Sequence, residues 1–186
     1  MILPVCILGS PILKKIAVDI DKNYPNLQEL INNMYDTMYN SDGLGLAAPQ
    51  VEHSIRLFVI DGSPLKDDEP EIDGFKRIFI NAHIIEYAGE ETLFTEGCLS
   101  VPGLREDVKR PSKIRIQYYD ENWNYYDEYF EGVKARIIQH EYDHLEGILF
   151  TDKLSILKKR LLKGKLLAIT KGRFDASYRV KVSKSL

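Results

Sequence analysis

Three stretches of the chain show apolar residues at steps of three and four positions, the spacing of one helical face. The first covers residues 26–38, where six apolar side chains recur in this way and Pro25 suits the helix start. The second covers residues 133–146, directly after Gly132, and the third covers residues 155–170. These patterns predict three helices, two of them in the last third of the chain.

Short runs rich in β-branched and aromatic residues lie between the first two helices and predict strands. The predicted strands cover residues 56–60, 77–81, 84–88, 104–108, 113–119 and 125–130. The acidic, proline-containing residues 61–76 predict an exposed loop. The mixed order favours an α+β fold in which antiparallel β-sheets pack around the helix at 133–146, with a C-terminal helix at the end. Because the chain has no internal repeat and no long linker, residues 1–186 predict a single domain.

The composition excludes several classes of protein. With 44% hydrophobic and 28% charged residues, the chain of 186 residues is typical of globular proteins. No apolar run approaches the ~18 to 20 residues that cross a bilayer, so we expect no membrane partner. The opening residues lack a basic leader, and two cysteines do not make a disulfide framework. We therefore expect a cytoplasmic protein, and a monomer.

The net charge of −3 conceals an uneven distribution. Residues 153–186 contain eleven lysines or arginines and one acid, Asp175, whereas the rest of the chain carries 14 basic and 27 acidic residues. A basic C-terminal helix and tail on an acidic body is typical of proteins that face a polyanion. A docked helix with a solvated charged face explains the same pattern, with Leu157, Leu161 and Leu162 on one face.

The strongest chemical signal lies in the second predicted helix, where residues 140–144 read His-Glu-Tyr-Asp-His. The spacing places His140 and His144 on one helical face, one turn apart, so both imidazoles can hold a single metal ion. Glu141 follows the first histidine, where its carboxylate can reach a water molecule at the metal. The pattern therefore predicts a metal site with a general base beside it.

A catalytic site of this kind needs a third protein ligand. Phe150 occupies the position at which one protease pattern places a third histidine, and no glutamate follows Glu146, so the ligand must lie upstream. Cys98 is the best candidate, because it follows Gly97 in a stretch closed by Pro-Gly, which indicates presentation by a turn.

Three other residues compete for the position of third ligand. Cys6 lies in an apolar run, which favours a small buried hydrophobe. His53 and His83 lie in polar, strand-edge contexts, and we expect surface or structural roles for both.

Three segments, in this order, resemble the signature segments of the peptide deformylases. They are Gly-Leu-Gly-Leu-Ala-Ala-Pro-Gln at residues 43–50, Glu-Gly-Cys-Leu-Ser at 96–100 and Gln-His-Glu-Tyr-Asp-His-Leu at 139–145. The likeness covers most of the chain, from residue 7 to the final helix. It implies a compact α+β fold with the metal helix at its centre. It also implies an enzyme that removes the formyl group from the N-terminal formylmethionine of nascent polypeptides and releases formate.

The resemblance also implies roles for individual residues. Cys98, His140 and His144 would hold the metal, and water activated there would attack the formyl carbon while Glu141 acts as general base and then acid. The side-chain amide of Gln50 and the backbone N–H of Leu99 would stabilise the oxyanion. The substrate-binding residues implied are Leu44, Gly45, Phe94, Gly97, Arg105, Val133 and Ile137. The apolar ones could equally belong to the core, and Arg105 could be a solvated arginine.

The roles of two charged residues near these motifs are not determined by the sequence. Glu96 either orients a ligating histidine or is a charged loop residue. Arg136, one turn before His140, stands where some members of the family carry an apolar residue. The sequence therefore does not determine which residues form the rim of the methionine pocket.

Cysteine with two histidines suits Zn(II), Fe(II), Ni(II) or Co(II). The resemblance favours Fe(II) in the cell, with zinc, nickel or cobalt possible in purified protein. It also implies a contact with the ribosome through the basic C-terminal helix. Two other functions stay open: a metalloprotease that cuts internal peptide bonds, and a non-catalytic, metal-stabilised RNA-binding domain.

Overall fold

A computed structural model describes residues 1–183, in which three α-helices and seven strands form an α+β fold. In chain order the elements are β1 (Val5–Cys6), α1 (Leu27–Asn40), β2 (Gly45–Ala47), β3 (Leu57–Asp61), β4 (Lys76–Gly97), β5 (Arg105–Tyr119), β6 (Tyr125–Glu131), α2 (Gly132–Leu145), α3 (Ile156–Thr170) and β7 (Val180–Lys181). The predicted fold class and all three predicted helices are confirmed. The loop predicted at 61–76 joins β3 to β4 and contains two short 3₁₀ turns. It is not exposed throughout, because Ile72 and Phe75 are buried in the core.

Five strands form one antiparallel sheet in the order β2-β3-β4-β5-β6. The strands predicted at 77–81 and 84–88 are parts of β4, and those at 104–108 and 113–119 fall mostly within β5. Their separation in the prediction is wrong because the β4–β5 pairing runs on through three register shifts, the last of them near Gly89, whose φ is 75°. Such bulges bend and twist a strand without ending it. The long hairpin carries the chain to Gly97, beside the predicted metal ligands.

Helix α2 packs across this sheet, and ten of its 14 residues are buried. Its apolar side chains join a core cluster in which Phe79 stacks on Phe58 and packs at a tilt against Tyr118, with ring centroids 4.5 and 4.3 Å apart. The predicted central helix is thus confirmed. Because the helix is enclosed, its polar side chains have to find their partners inside the protein.

Helix α1 covers a second cluster next to the short strand β2. Ile31, Met34 and Met38 line its buried face and pack with residues of β2 and β3. The N–H of Gly43 donates to the Met38 carbonyl at 3.0 Å, which ends the helix and leads the chain directly into β2. Strand β2 is absent from the sequence prediction because three residues, beginning with glycine, carry too little alternation to show one.

The two ends of the chain meet in a second, small sheet. Strand β1 pairs with β7, with Val5 opposite Val180 and Cys6 opposite Lys181. The pairing is parallel, in contrast to the antiparallel sheet predicted and observed around helix α2. A parallel pair needs a long crossover, and here almost the whole chain provides it.

Helix α3 packs against a third cluster through Leu162, Leu166 and Ile169. Leu157 and Leu161 lie on the opposite side, with 67% and 75% of their surface exposed. The predicted common face of Leu157, Leu161 and Leu162 is therefore wrong: the helix docks through later residues and leaves its first apolar ones in solvent. Within residues 1–183, no helix combines the length and hydropathy that crossing a lipid bilayer requires.

Candidate metal centre

Helix α2 holds the two predicted histidine ligands side by side. The rings of His140 and His144 lie one turn apart, with centroids separated by 5.3 Å, and only 1% of His144 is exposed. Burial lowers the pKa of His144, which keeps its ring neutral, as metal binding requires. The rigid helix thus fixes two nitrogen donors in the interior of the protein.

Cys98 follows the last residue of β4 and stands in a tight turn. Val101 closes this turn by donating its N–H to the Cys98 carbonyl at 2.9 Å, so the predicted presentation by a turn is confirmed. The Cys98 sulfur lies 3.3 Å from Nε2 of His144. One ligand atom from each of Cys98, His140 and His144 lies within 4.8 Å of the other two. The hairpin and the helix therefore bring the three predicted ligands to one point.

This set of donors fits a catalytic metal ion. A thiolate and two imidazoles are ligands of zinc, iron(II), nickel and cobalt, and three protein ligands leave one tetrahedral position for water or substrate. A buried polar atom nearby supports the same interpretation. Oε2 of Glu141 is buried and has no hydrogen-bond partner among residues 1–183, although buried carboxylate oxygens are usually bonded. That oxygen fits a site occupied by water or substrate.

Glu96 holds the first histidine in place. Only 6% of Glu96 is exposed, and it accepts hydrogen bonds from Nδ1 of His140 at 2.9 Å and from two nitrogens of Arg110 at 2.6 and 2.8 Å. Burial alone would raise the pKa of Glu96, but the hydrogen bonds from Arg110 and His140 hold it well below its usual range. With Nδ1 engaged in this way, Nε2 of His140 is the nitrogen left to bind metal. Of the two interpretations, the structure favours the orienting one.

A buried network of charges surrounds Glu96. Arg110 also donates to Asp143 at 2.6 Å, and Arg136 donates to Glu96 at 3.1 Å and to the Thr92 carbonyl at 2.7 Å. Neither Arg110 nor Asp143 was predicted from the sequence to take part in the site. Arg110 is 14 residues from Glu96 and 33 from Asp143, so no local spacing could have revealed the pairing.

Glu141 lies against the backbone of β2. Burial raises the pKa of Glu141 to about 7, so near neutral pH the group can both take up and give back a proton. A Cβ atom at Gly45 would stand 2.6 Å from Cδ of Glu141, far inside van der Waals contact. Only glycine therefore fits at position 45, and the close approach explains why the glycine-rich segment precedes this site.

The two predicted oxyanion donors lie beside the cysteine. Gln50 is buried, and its Oε1 accepts the N–H of Ala47 at 2.8 Å, which leaves Nε2 to donate. That nitrogen lies 3.1 Å from the Ser100 hydroxyl and 3.6 Å from the Cys98 sulfur. The backbone N–H of Leu99 has no acceptor among residues 1–183. Both groups are thus placed within reach of a carbonyl oxygen bound near the cysteine.

A cavity of about 350 Å³ opens onto this arrangement. Six of the predicted substrate-binding residues line it: Leu44, Gly45, Phe94, Gly97, Arg105 and Ile137. The seventh, Val133, is not among the lining residues; it lies in the first turn of α2 and packs in the core. Arg136 does line the cavity, with its guanidinium 5.8 Å from the centre of the Phe94 ring. Tyr178 also lines the cavity, although no pattern in the sequence predicts this.

The rival ligands lie elsewhere. Cys6 is fully buried in β1, as expected for a small hydrophobe. His53 contacts the Tyr24 hydroxyl at 3.2 Å, and His83 pairs with Asp19 at 3.1 Å. Neither histidine belongs to the cluster of Cys98, His140 and His144, so neither competes for the position of third ligand.

The chain is similar in sequence to known proteins over almost its whole length. The profile of a family described as polypeptide deformylase matches residues 2–160. A peptide deformylase of Christiangramia forsetii is 57% identical over 189 residues, which cover 97% of this chain and 96% of that protein. A peptide deformylase of Flavobacterium johnsoniae is 53% identical over 188 residues, with the same coverage.

Solved structures agree with the sequence relatives. A peptide deformylase of Plasmodium falciparum superposes with a TM-score of 0.81 at 37% identity, covering 90% of this chain and 95% of that one. The peptide deformylase of Thermotoga maritima superposes with a TM-score of 0.75 at 37% identity, covering 83% of this chain and 99% of that one.

Proposed function

Since this chain belongs to the peptide deformylase family, we propose that Cys98, His140 and His144 hold the metal ion at which it works. The chain is a metal-dependent hydrolase that removes the N-formyl group from nascent polypeptides. One observation carries the assignment of residues: three ligand atoms within 4.8 Å of one another, beside the buried carboxylate of Glu141.

When bound, the metal ion supplies Lewis acidity, which polarises a carbonyl oxygen and lowers the pKa of water in its coordination sphere towards about 7. Glu141 takes the proton from the attacking water molecule as the new C–O bond forms. It then delivers that proton to the leaving amine as the C–N bond of the formamide breaks, and formate departs. The pKa of Glu141, about 7, suits both steps, since a group of this pKa accepts and donates near neutral pH.

Two donors stabilise the negative charge that develops on the formyl oxygen. The amide of Gln50 is held by its own bond from Ala47, so it cannot rotate away, and the Leu99 N–H has no competing acceptor among residues 1–183. Fixed donors of this kind act without reorganisation during the reaction.

The formylated peptide binds in the cavity beside the metal ligands. Strand β2 is the edge of the five-stranded sheet, so its outer side can pair with an extended peptide beside Gly45, opposite Gly97. The methionine side chain enters the cavity among Leu44, Phe94 and Ile137. Arg105, at the rim of the same cavity, contacts the peptide beyond methionine.

Release of formate from formyl-Met-Ala-Ser tests the activity, with the unformylated peptide as control. A metalloprotease would cut both peptides internally and release no formate. Glu141→Gln is expected to lower kcat by ~10²- to 10⁴-fold with normal metal content, the usual range for losing a general base. Glu121→Gln, in an exposed turn, is the matched control. A metal-stabilised RNA-binding protein without catalysis would show no difference between the two variants.

Gln50→Ala tests the oxyanion donors separately. We expect turnover to fall ~100-fold or more, because one donor of this kind contributes ~3 kcal/mol to the barrier. Metal content should stay normal, since Gln50 is no ligand. Gln117→Ala removes an amide bonded only at the surface and serves as control. An equal loss of metal in the Gln50 variant would show that this residue is structural.

We propose Fe(II) as the metal in the cell. The donor set accepts several divalent ions. With iron bound, we expect oxygen to inactivate the enzyme, because iron(II) and a thiolate are both readily oxidised. Anaerobic purification followed by metal analysis and activity assay tests this. A preparation that holds zinc and keeps its activity equally in air and under nitrogen would contradict it.

The basic helix α3 is proposed to contact ribosomal RNA. Lys158 is paired with Glu106 at 2.7 Å and Lys159 donates to the Asp152 carbonyl, whereas Arg160 and Lys163 make no ion pair within residues 1–183. Reversing the charges of Arg160 and Lys163 therefore tests binding to ribosomal RNA without breaking an ion pair of the structure. Ribosome pelleting should weaken and its salt dependence should become less steep. The control is the matched double reversal of Lys22 and Lys66, which lie in exposed loops. Equal pelleting of both double variants would refute the proposal.

We further propose that residues 1–186 act as one domain, a cytoplasmic monomer. The pairing of β1 with β7 supports this, because it ties the beginning of the chain to residues 180–181. Nascent polypeptides, the substrates, are made in the cytoplasm. Light scattering of the purified enzyme would detect a dimer, and fractionation would detect another location.

A further inference from the structure

The chain beyond helix α3 folds back towards the metal centre. Residues 171–183, here called the C-terminal segment, include β7, and they lie beyond the part that the family profile matches, which ends at residue 160. Val5 donates its N–H to the Arg179 carbonyl at 2.9 Å, and Ile7 donates to that of Lys181 at 3.1 Å. The side chain of Lys181 pairs with Glu52 at 2.6 Å. The segment is therefore fastened on both sides of residue 180.

This fastening places one side chain of the segment in the active-site cavity. Tyr178 lines the cavity, and its hydroxyl donates a hydrogen bond of 2.7 Å to the carbonyl of Leu99. The residue is half-buried, and burial raises its pKa to about 12, so the hydroxyl stays protonated at any pH at which the enzyme works. A donor is thus permanently directed at the backbone of the cysteine turn.

The turn at residues 98–101 is held from several directions. Leu8, which follows β1, donates its N–H to the Ser100 carbonyl at 2.8 Å, and Gln50 donates to the Ser100 hydroxyl. Tyr178 supplies the bond that fixes the remaining carbonyl, that of Leu99. Without that bond, the peptide between Leu99 and Ser100 could rotate. The backbone of Leu99 would then be held less firmly, and the N–H of Leu99, which belongs to the preceding peptide, would lose its fixed direction.

We propose that Tyr178 is a positioning residue that fixes the orientation of the Leu99 backbone, and through it the oxyanion donor and the Cys98 sulfur. The C-terminal segment would then be part of the catalytic architecture and not only a surface tail. The inference rests on the proposed role of the Leu99 N–H. Because a displacement of about 1 Å in a catalytic group can cost ~100-fold in rate, a single hydrogen bond to this turn can matter for turnover.

Tyr178→Phe removes the hydroxyl and keeps the ring. Tyr129→Phe is the matched control, because it removes a hydroxyl that bonds Glu86 on the exposed sheet surface. For both variants, kcat and KM with formyl-Met-Ala-Ser, metal content and thermal midpoint are measured. Hydrogen exchange of the amides at residues 98–101, followed by mass spectrometry, reports on the turn independently of activity.

For Tyr178→Phe we expect kcat to fall ~10-fold while KM changes less than about twofold, since the bond acts on a group used mainly in the transition state. Exchange at residues 98–101 should quicken about tenfold, because the turn opens more often. Metal content and thermal midpoint should match those of Tyr129→Phe. Two results would overturn the proposal: a kcat within twofold of the parent, or a loss of kcat that follows a loss of metal.

The two proposals fail separately. Suppose that the parent enzyme releases formate and that Glu141→Gln abolishes this release. A Tyr178→Phe variant with the same kcat as the parent would then refute only the positioning role of Tyr178. If the parent releases no formate from any formylated peptide, the proposed function itself is lost, and exchange at residues 98–101 still shows whether Tyr178 holds the turn.

Discussion

Replacing Glu96 by glutamine should destabilise the protein and loosen its hold on the metal. Both carboxylate oxygens of Glu96 accept from Arg110, one from Nε at 2.6 Å and the other from Nη2 at 2.8 Å. In either orientation of the glutamine amide, an NH₂ group would face one of these donors. The substitution therefore removes a buried negative charge and also sets donor against donor.

The size of the effect follows from burial. The side chains of Glu96 and Arg110 are 5% and 2% exposed, and Arg136 makes a third ionic contact to the same carboxylate. Removing one member of a buried charge pair costs ~3–5 kcal/mol, because the remaining charge stays desolvated. Metal affinity should fall ~10- to 100-fold, the usual consequence of losing the partner of a ligating histidine.

Urea unfolding of the metal-free protein measures the first effect, and competition with a chelator measures the second. Asp127→Asn is the matched control, because Asp127 also takes two hydrogen bonds from one arginine, Arg115, but on the exposed sheet surface. Its unfolding midpoint should barely move. If Glu96→Gln lowers the midpoint no more than this control, the reasoning from burial is wrong.

The difference in unfolding free energy between the parent and Glu96→Gln should also depend on pH, which provides a second check. The pKa of Glu96 in the folded protein lies well below the usual value, so its contribution is complete above the unfolded pKa of ~4.3 and is lost as the pH falls further. The gap in stability between the parent and Glu96→Gln should therefore shrink as the pH falls below about 5. A gap that widened below about pH 5 would contradict the assignment of Glu96 as a paired carboxylate.

Three further substitutions test separate parts of the structure. Gly45→Ala should lower kcat at least ~10-fold with normal metal content, because the new Cβ would displace the Glu141 carboxylate; an unchanged kcat in the formate assay would refute the contact. Gly147→Ala should cost ~1–3 kcal/mol in urea unfolding, since φ at this residue is 69° and a Cβ would stand 2.7 Å from the Lys14 backbone; no change would mean that the turn adapts. Phe79→Ala should cost ~3–5 kcal/mol by the same measurement, because it removes the ring at the centre of the core stack.

Local spacing determined a large part of the site in advance. The two histidines and the glutamate of helix α2 follow from a period of 3.6 residues, because a helix fixes the relative positions of side chains four residues apart. Cys98 was found because two histidines leave one ligand missing and glycine and proline mark a turn around it. The helices were predicted within two residues at each end for the same reason: their signal lies in neighbouring residues.

The lengths of the strands were not accessible in this way. β4 and β5 pair through three register shifts, and each shift breaks the alternation of apolar and polar residues that marks a strand. The parallel pairing of β1 with β7 joins residues about 175 positions apart, which no local pattern encodes. Contacts of this range depend on how the whole chain packs.

The sequence by itself thus predicted the proposed reacting groups: which residues hold the metal, which carboxylate moves the proton, and that they belong to one helix and one turn. Only the tertiary structure decided what surrounds and orients them. Arg110 and Glu96 behind the first histidine, Gly45 against Glu141 and Tyr178 on the cysteine turn all come from distant parts of the chain. The physical reason is that ligand spacing is set by the geometry of a single helix, whereas burial, the pKa values and the direction of a hydrogen bond are set by neighbours that folding brings together.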